Sequence, residues 1–126
     1  MSSSILHPGN GINYPQKGDY VKINLQMLDS NGNILFDSTL TRKKFCEIRY
    51  LTNESNMFPQ LEELIGGMSL FQKCSLELTK DNFDNSIPST NMIQLLNDYN
   101  KITILVEIVN ISKSPTRVSL RVLLYL

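Results

Sequence analysis

The sequence predicts an α+β fold in which an antiparallel β-sheet wraps around one short α-helix. Three observations carry that expectation. Val21-Lys22-Ile23-Asn24-Leu25-Gln26-Met27 alternates apolar and polar residues without a break, and residues 73–78 alternate again, with Cys74, Leu76 and Leu78 set against Lys73, Ser75 and Glu77. One strong helical segment stands out at about 58–65, where Phe58, Leu61, Leu64 and Ile65 fall on one helical face. The chain has no alanine and is rich in asparagine, which weakens long helices and favours strands and turns.

In chain order, residues 1–4 read as a disordered tail. Residues 5–19 are punctuated by Pro8, Gly9, Gly11, Pro15 and Gly18, so they are expected to be extended or turning. Strands are expected at about 20–28, 34–37 and 45–51. Asp29-Ser30-Asn31-Gly32-Asn33 supplies the first turn, with Asn31-Gly32 suited to positive φ. A loop at Ser55-Asn56 leads into the helix. Pro59 suits its first turn, where the missing N–H costs nothing, and Gly66-Gly67 suits its exit. After the strand at 73–78 comes a long irregular connection at about 80–100, a length often tied to function. A strand at 101–111 closes the sheet. Residues 112–126 form a C-terminal extension. Ser112-Lys113-Ser114-Pro115-Thr116-Arg117 reads as a hinge, and residues 118–126 as an extra strand packed on the domain or on a neighbour.

Composition narrows the function. A chain of 126 residues is most simply one domain, long enough for a core without disulfides or metal. Twelve basic and twelve acidic residues balance, which argues against a nucleic-acid or anionic-membrane partner held by bulk charge. Arg42-Lys43-Lys44 is a short basic cluster that reads as a solvated loop. Cys46 and Cys74 are far apart, and with a single histidine, His7, they make too poor a set for a zinc site. Both thiols read as small core residues. Residues 1–4 lack the basic and apolar regions of a signal peptide, and no stretch approaches the ~20 apolar residues of a membrane span. A reducing cytoplasm is the expected compartment.

The order of motifs carries a resemblance. Leu6-His7-Pro8-Gly9-Asn10-Gly11 is followed by Tyr14-Pro15-Gln16-Lys17-Gly18-Asp19, then strand, turn and Phe36-Asp37-Ser38. This resembles the opening of FKBP-type peptidyl-prolyl cis-trans isomerases, the macrolide-binding immunophilins. There, a Pro-Gly-Asp-Gly segment, a Pro-x-x-Gly step, a strand, an Asp-Gly turn and a Phe-Asp-Ser triplet come in the same order. Residues 61–72, Leu-Glu-Glu-Leu-Ile-Gly-Gly-Met-Ser-Leu-Phe-Gln, resemble the family's short helix and its Met-Ser-x-Gly-Gln turn. Ile102-Thr103-Ile104-Leu105-Val106-Glu107-Ile108 resembles its closing strand. The resemblance covers roughly residues 5–111 and implies an FKBP-like domain there.

The resemblance also implies a site. Phe36, Phe45, Met57, Phe58, Leu61, Leu96 and Ile104 would line an apolar cavity. Asp37 would be the polar group near the substrate, and Arg42 would hold it in place. Each apolar residue also reads as ordinary core packing. Prolyl isomerisation breaks no covalent bond, so the chemistry needs shape and aimed dipoles rather than a nucleophile, metal or cofactor. Several positions depart from the family. The family has a pocket Tyr near where Asn24-Leu25 stands, Trp where Leu61 stands, Phe where Ile104 stands, and a loop Tyr near Phe83-Asp84, where this chain has none. Met57-Phe58 replaces the Val-Ile pair that bonds substrate through its backbone. The expected function is therefore a weak isomerase of X-Pro bonds in proteins or peptides, with reduced macrolide affinity. The rivals are a non-catalytic FKBP-like protein-binding module, and a structural β-domain of another family.

Overall fold

Alternation becomes strand at both places where the sequence shows it. The computed structural model describes residues 2–38, 46–52, 58–82 and 96–113. In order, the elements are β1 (Ser2–His7), β2 (Tyr20–Leu28), β3 (Ile34–Asp37), β4 (Cys46–Arg49), α1 (Pro59–Gly66), β5 (Lys73–Thr79) and β6 (Lys101–Ser112). Residues 96–99 add a helical turn at the end of the connection that the sequence reads as irregular. The strands form one antiparallel sheet in the order β1-β5-β6-β2-β3. One edge of β2 pairs along its length with β6. Its other edge is shared, with Tyr20–Ile23 facing β4 and Gln26–Leu28 facing β3.

One sheet face is the core. Val21, Ile23 and Leu25 on β2, Cys74, Leu76 and Leu78 on β5, and Ile102, Ile104, Val106 and Ile108 on β6 are all buried. Leu61 and Ile65 of α1 complete that core at 0% exposure, so the helix covers this face of the sheet. Pro59 occupies the first turn of α1, as its missing N–H predicts. The expected glycine pair ends the helix, yet Gly67 has φ −95° and is not left-handed. Gly66 is explained by packing instead. A Cβ there would lie 2.0 Å from the Tyr50 hydroxyl.

The first strand corrects the sequence reading. A disordered tail is expected at 1–4, but Ser2–His7 is an edge strand whose Ser3 faces Leu76 and Ile5 faces Cys74. Three consecutive serines carry no alternation, so no sequence pattern announces this strand. The ladder to β5 orders it, with a further bond of 2.8 Å between the Ser4 and Ser75 hydroxyls. Residues 114–126, including the expected extra strand, lie outside the described residues.

Candidate functional site

The Phe36-Asp37-Ser38 triplet sits where β3 leaves the β2 ladder, and each of its residues meets different surroundings. Phe36 is opposite Met27, and Asp37 is opposite Gln26. Met27 continues the inward series of Val21, Ile23 and Leu25, so the Phe36 ring packs, partly buried, against the core. Gln26 belongs to the other face, and Asp37 goes with it. Gln26 Nε2 donates to Asp37 Oδ2 at 2.5 Å, and Asp37 is 6% exposed. Ser38 is fully buried, and its Oγ accepts the Leu25 N–H at 3.0 Å. Its side chain continues the β2 ladder after β3 ends.

Phe58, Leu61, Leu96 and Ile104 all belong to the hydrophobic core, within 4% exposure, and Phe36 packs, partly buried, against that core. Of the positions expected at one site, Phe58, Leu61, Leu96 and Ile104 are part of the general core of the fold, with Phe36 at its margin. Arg42, Phe45 and Met57 lie outside the described residues.

Asp37 is not brought to that core. It pairs with the outward Gln26 instead, and both residues line a polar cleft of about 140 Å³ together with Asn24, Lys73, Leu105 and Glu107. Adjacent strand residues alternate faces unless a bulge intervenes. Here the register shift falls one step earlier, leaving Leu35 as the extra residue, so Phe36 and Asp37 separate. Lys73, Glu107 and Asn24 form one row across three strands. Asn24 Nδ2 donates to Glu107 Oε1 at 3.1 Å, while Asn24 Oδ1 is buried without a partner. The alternation of β2 marks Asn24 and Gln26 as outward residues. Only the register adds Lys73 and Glu107 to them.

The structure of FkpA from Escherichia coli is similar, with a TM-score of 0.61 at 17% identity. The fold is FKBP-like. The match covers 90% of this chain and 48% of that one, so this chain spans about half the length of the protein it matches. No protein-family model and no curated sequence matches the chain. At that identity the likeness speaks for the FKBP-like fold alone. Among the described residues, no helix is long and apolar enough to cross a membrane, and no three of His, Cys, Asp and Glu gather as a metal-binding group.

Proposed function

We propose that this chain is a weak peptidyl-prolyl cis-trans isomerase acting on X-Pro bonds of proteins. Its site would be built on Phe36, Phe58, Leu61, Leu96 and Ile104 of the apolar core, to which the family resemblance adds Phe45 and Met57. The observation that carries this reading is that Phe36 packs, partly buried, against the hydrophobic core that contains Leu61 and Ile104, within an FKBP-like fold. The barrier to be lowered is amide resonance, roughly 18–20 kcal/mol. A twisted amide has lost that resonance, so its less polar form is favoured where water is excluded. An apolar wall supplies that condition without a reactive group. Leu61 and Ile104 keep the site apolar but lack the aromatic surface expected of the family, and the activity is accordingly low. Asp37 acts through β3 in this reading, its bond to Gln26 fixing the strand that carries Phe36.

A protease-coupled assay on a short X-Pro peptide tests the proposal. Wild-type protein should exceed the uncatalysed rate. Phe36→Ala should lower kcat/KM by about tenfold, equivalent to ~1.4 kcal/mol of transition-state stabilisation. Circular dichroism on the same sample must show an intact fold, because losing a buried Phe costs up to ~3–5 kcal/mol. Asp37→Asn, which keeps an acceptor for Gln26, should leave the rate nearly unchanged. A large loss there would return the carboxylate to the site.

The second reading is a non-catalytic module that binds protein segments. The separation of Asp37 from the apolar cluster favours it. A folded wild-type protein with no rate above background would put this reading first.

A further inference from the structure

On the far side of α1 from Phe36, the sheet runs past the helix. β1 is the last strand in the order, and among the described residues it pairs with β5 alone. Ser3 and Ile5 face the same way as their buried partners Leu76 and Cys74, yet Ile5 is 65% exposed. The helix stops short of covering them. A groove of about 460 Å³ results, with Leu76, Cys74 and Met68 as its floor and Ile5 and Leu64 as its walls. Its rim carries Glu63, the charged residue that lines it among the described residues. Gln60 also lines the groove. It is 7% exposed, and its Oε1 is buried without a hydrogen-bond partner.

We propose that the β1 edge and this groove dock an extended segment of a partner protein, carrying an apolar side chain and, two residues away, a basic one. Among the described residues the outer edge of β1 is unpaired, and such an edge offers main-chain donors and acceptors that only another strand satisfies along its length. Strand alternation puts residues i and i+2 of the added segment on one face. One of them then covers Ile5 and fills the groove, and the other reaches Glu63. Charge favours this occupant, since an acidic rim selects a cation.

A second copy of the chain fits less well. Two β1 strands paired in full about a two-fold axis set Ser4 against Ile5 and Ser3 against Leu6. Shifting by one residue pairs Ile5 with itself but still sets Ser4 against Leu6. Neither register brings a basic residue of β1 other than His7 to the edge.

The probe is the peptide fluorescein-Thr-Val-Thr-Lys-Thr-Val-Thr-amide, labelled at its N-terminus so that the lysine stays charged. It lacks proline and so is silent toward the isomerase reading. Fluorescence polarisation should show saturable binding to the full chain, and amide exchange should slow at residues 3–6. Methylating alternate peptide nitrogens on one edge should weaken binding at least tenfold, and methylating those on the other edge should not. Glu63 and Ile5 are both exposed, so Glu63→Lys and Ile5→Glu should fold normally by circular dichroism. Glu63→Lys should exchange preference from the Lys probe to its Glu analogue, and Ile5→Glu should abolish binding. Binding indifferent to both substitutions, or no binding at millimolar protein, overturns the proposal. So does a dimer in sedimentation that Ile5→Glu dissolves, which would give the edge to a second copy.

Discussion

Phe71 holds a left-handed backbone, φ 72°, and the residue is 54% exposed. It stands where the Met-Ser-x-Gly-Gln turn has glycine, the residue that adopts this conformation freely. For any other residue the conformation costs roughly 1–2 kcal/mol. The turn is held anyway, because the Phe71 N–H donates to Ile108 O and the neighbouring Leu70 N–H donates to Asn13 O, both at 2.8 Å. Phe71→Gly should therefore raise stability by about 0.5–1 kcal/mol, after the glycine's greater unfolded-state entropy is subtracted. Urea unfolding reads this, and a lower midpoint would mean that the ring contributes more by packing than the strain costs. Tyr50 is the opposite case, a residue whose fit is tight. Its hydroxyl occupies the space a Cβ would need at Gly66. Gly66→Ala should destabilise by about 1–3 kcal/mol through overpacking, and Tyr50→Phe in the same chain should restore much of the loss. Burial, with Glu62 and then Glu63 nearby, holds the Tyr50 phenol above its ordinary pKa of 10.0. The folded state therefore keeps this proton more tightly than the unfolded state. Stability should fall as pH rises above about 10, and Tyr50→Phe should flatten that limb of the pH profile.

The β2–β3 hairpin shows how an element is specified locally. Asp29 Oδ1 accepts the N–H groups of Asn31 and Asn33, each at 2.9 Å, and Oδ2 accepts Asn33 Nδ2 at 3.0 Å. These bonds, led by the one from the Asn33 side chain, hold the Asp29 carboxyl below its ordinary pKa. Of the expected Asn31-Gly32 pair, Gly32 takes positive φ, at 84°. A Cβ at Gly32 would meet nothing within 4 Å, so Gly32→Ala should cost about 1 kcal/mol through backbone strain alone. Thermal unfolding with unchanged native circular dichroism is the measurement that checks this. The turn chemistry was legible in the sequence because its bonds span at most four residues. The bulge at Leu35 was not, because it depends on how β3 seats against β2. That one residue decides the face on which Asp37 lies.

Across the whole molecule, the start of β2 and the end of β6 are joined by Asp19. Its Oδ2 accepts Lys113 Nζ at 2.9 Å and the Gln16 N–H at 2.8 Å, with the Asp19 side chain 4% exposed against 55% for Lys113. Removing either partner is unequal in effect. Lys113→Ala loses a half-solvated ion pair and should cost up to about 1 kcal/mol, diminishing with salt. Asp19→Ala loses the same pair and also strips the acceptor from Gln16, so it should cost about 1–3 kcal/mol, much of which persists at high salt. Urea titrations at low and high ionic strength separate the two. If the two losses become equal at high salt, where the ion pair is screened, the Gln16 bond contributes nothing.

The sequence by itself determined the elements that announce themselves through period or turn chemistry: the alternating strands 20–28 and 73–79, the helix with Phe58, Leu61 and Ile65 inward, and the ordered resemblance to the FKBP pattern. Those signals are local, carried by neighbours in the chain. The tertiary structure alone decided that Ser2–His7 is a strand, since serines gain their order from the β5 ladder. It decided which of the two looks to the core, Phe36 opposite Met27 rather than Asp37 opposite Gln26, since register is a relation between two strands. It also decided that Lys73, Glu107 and Asn24 form one row, since residues from three strands meet only once the sheet has closed.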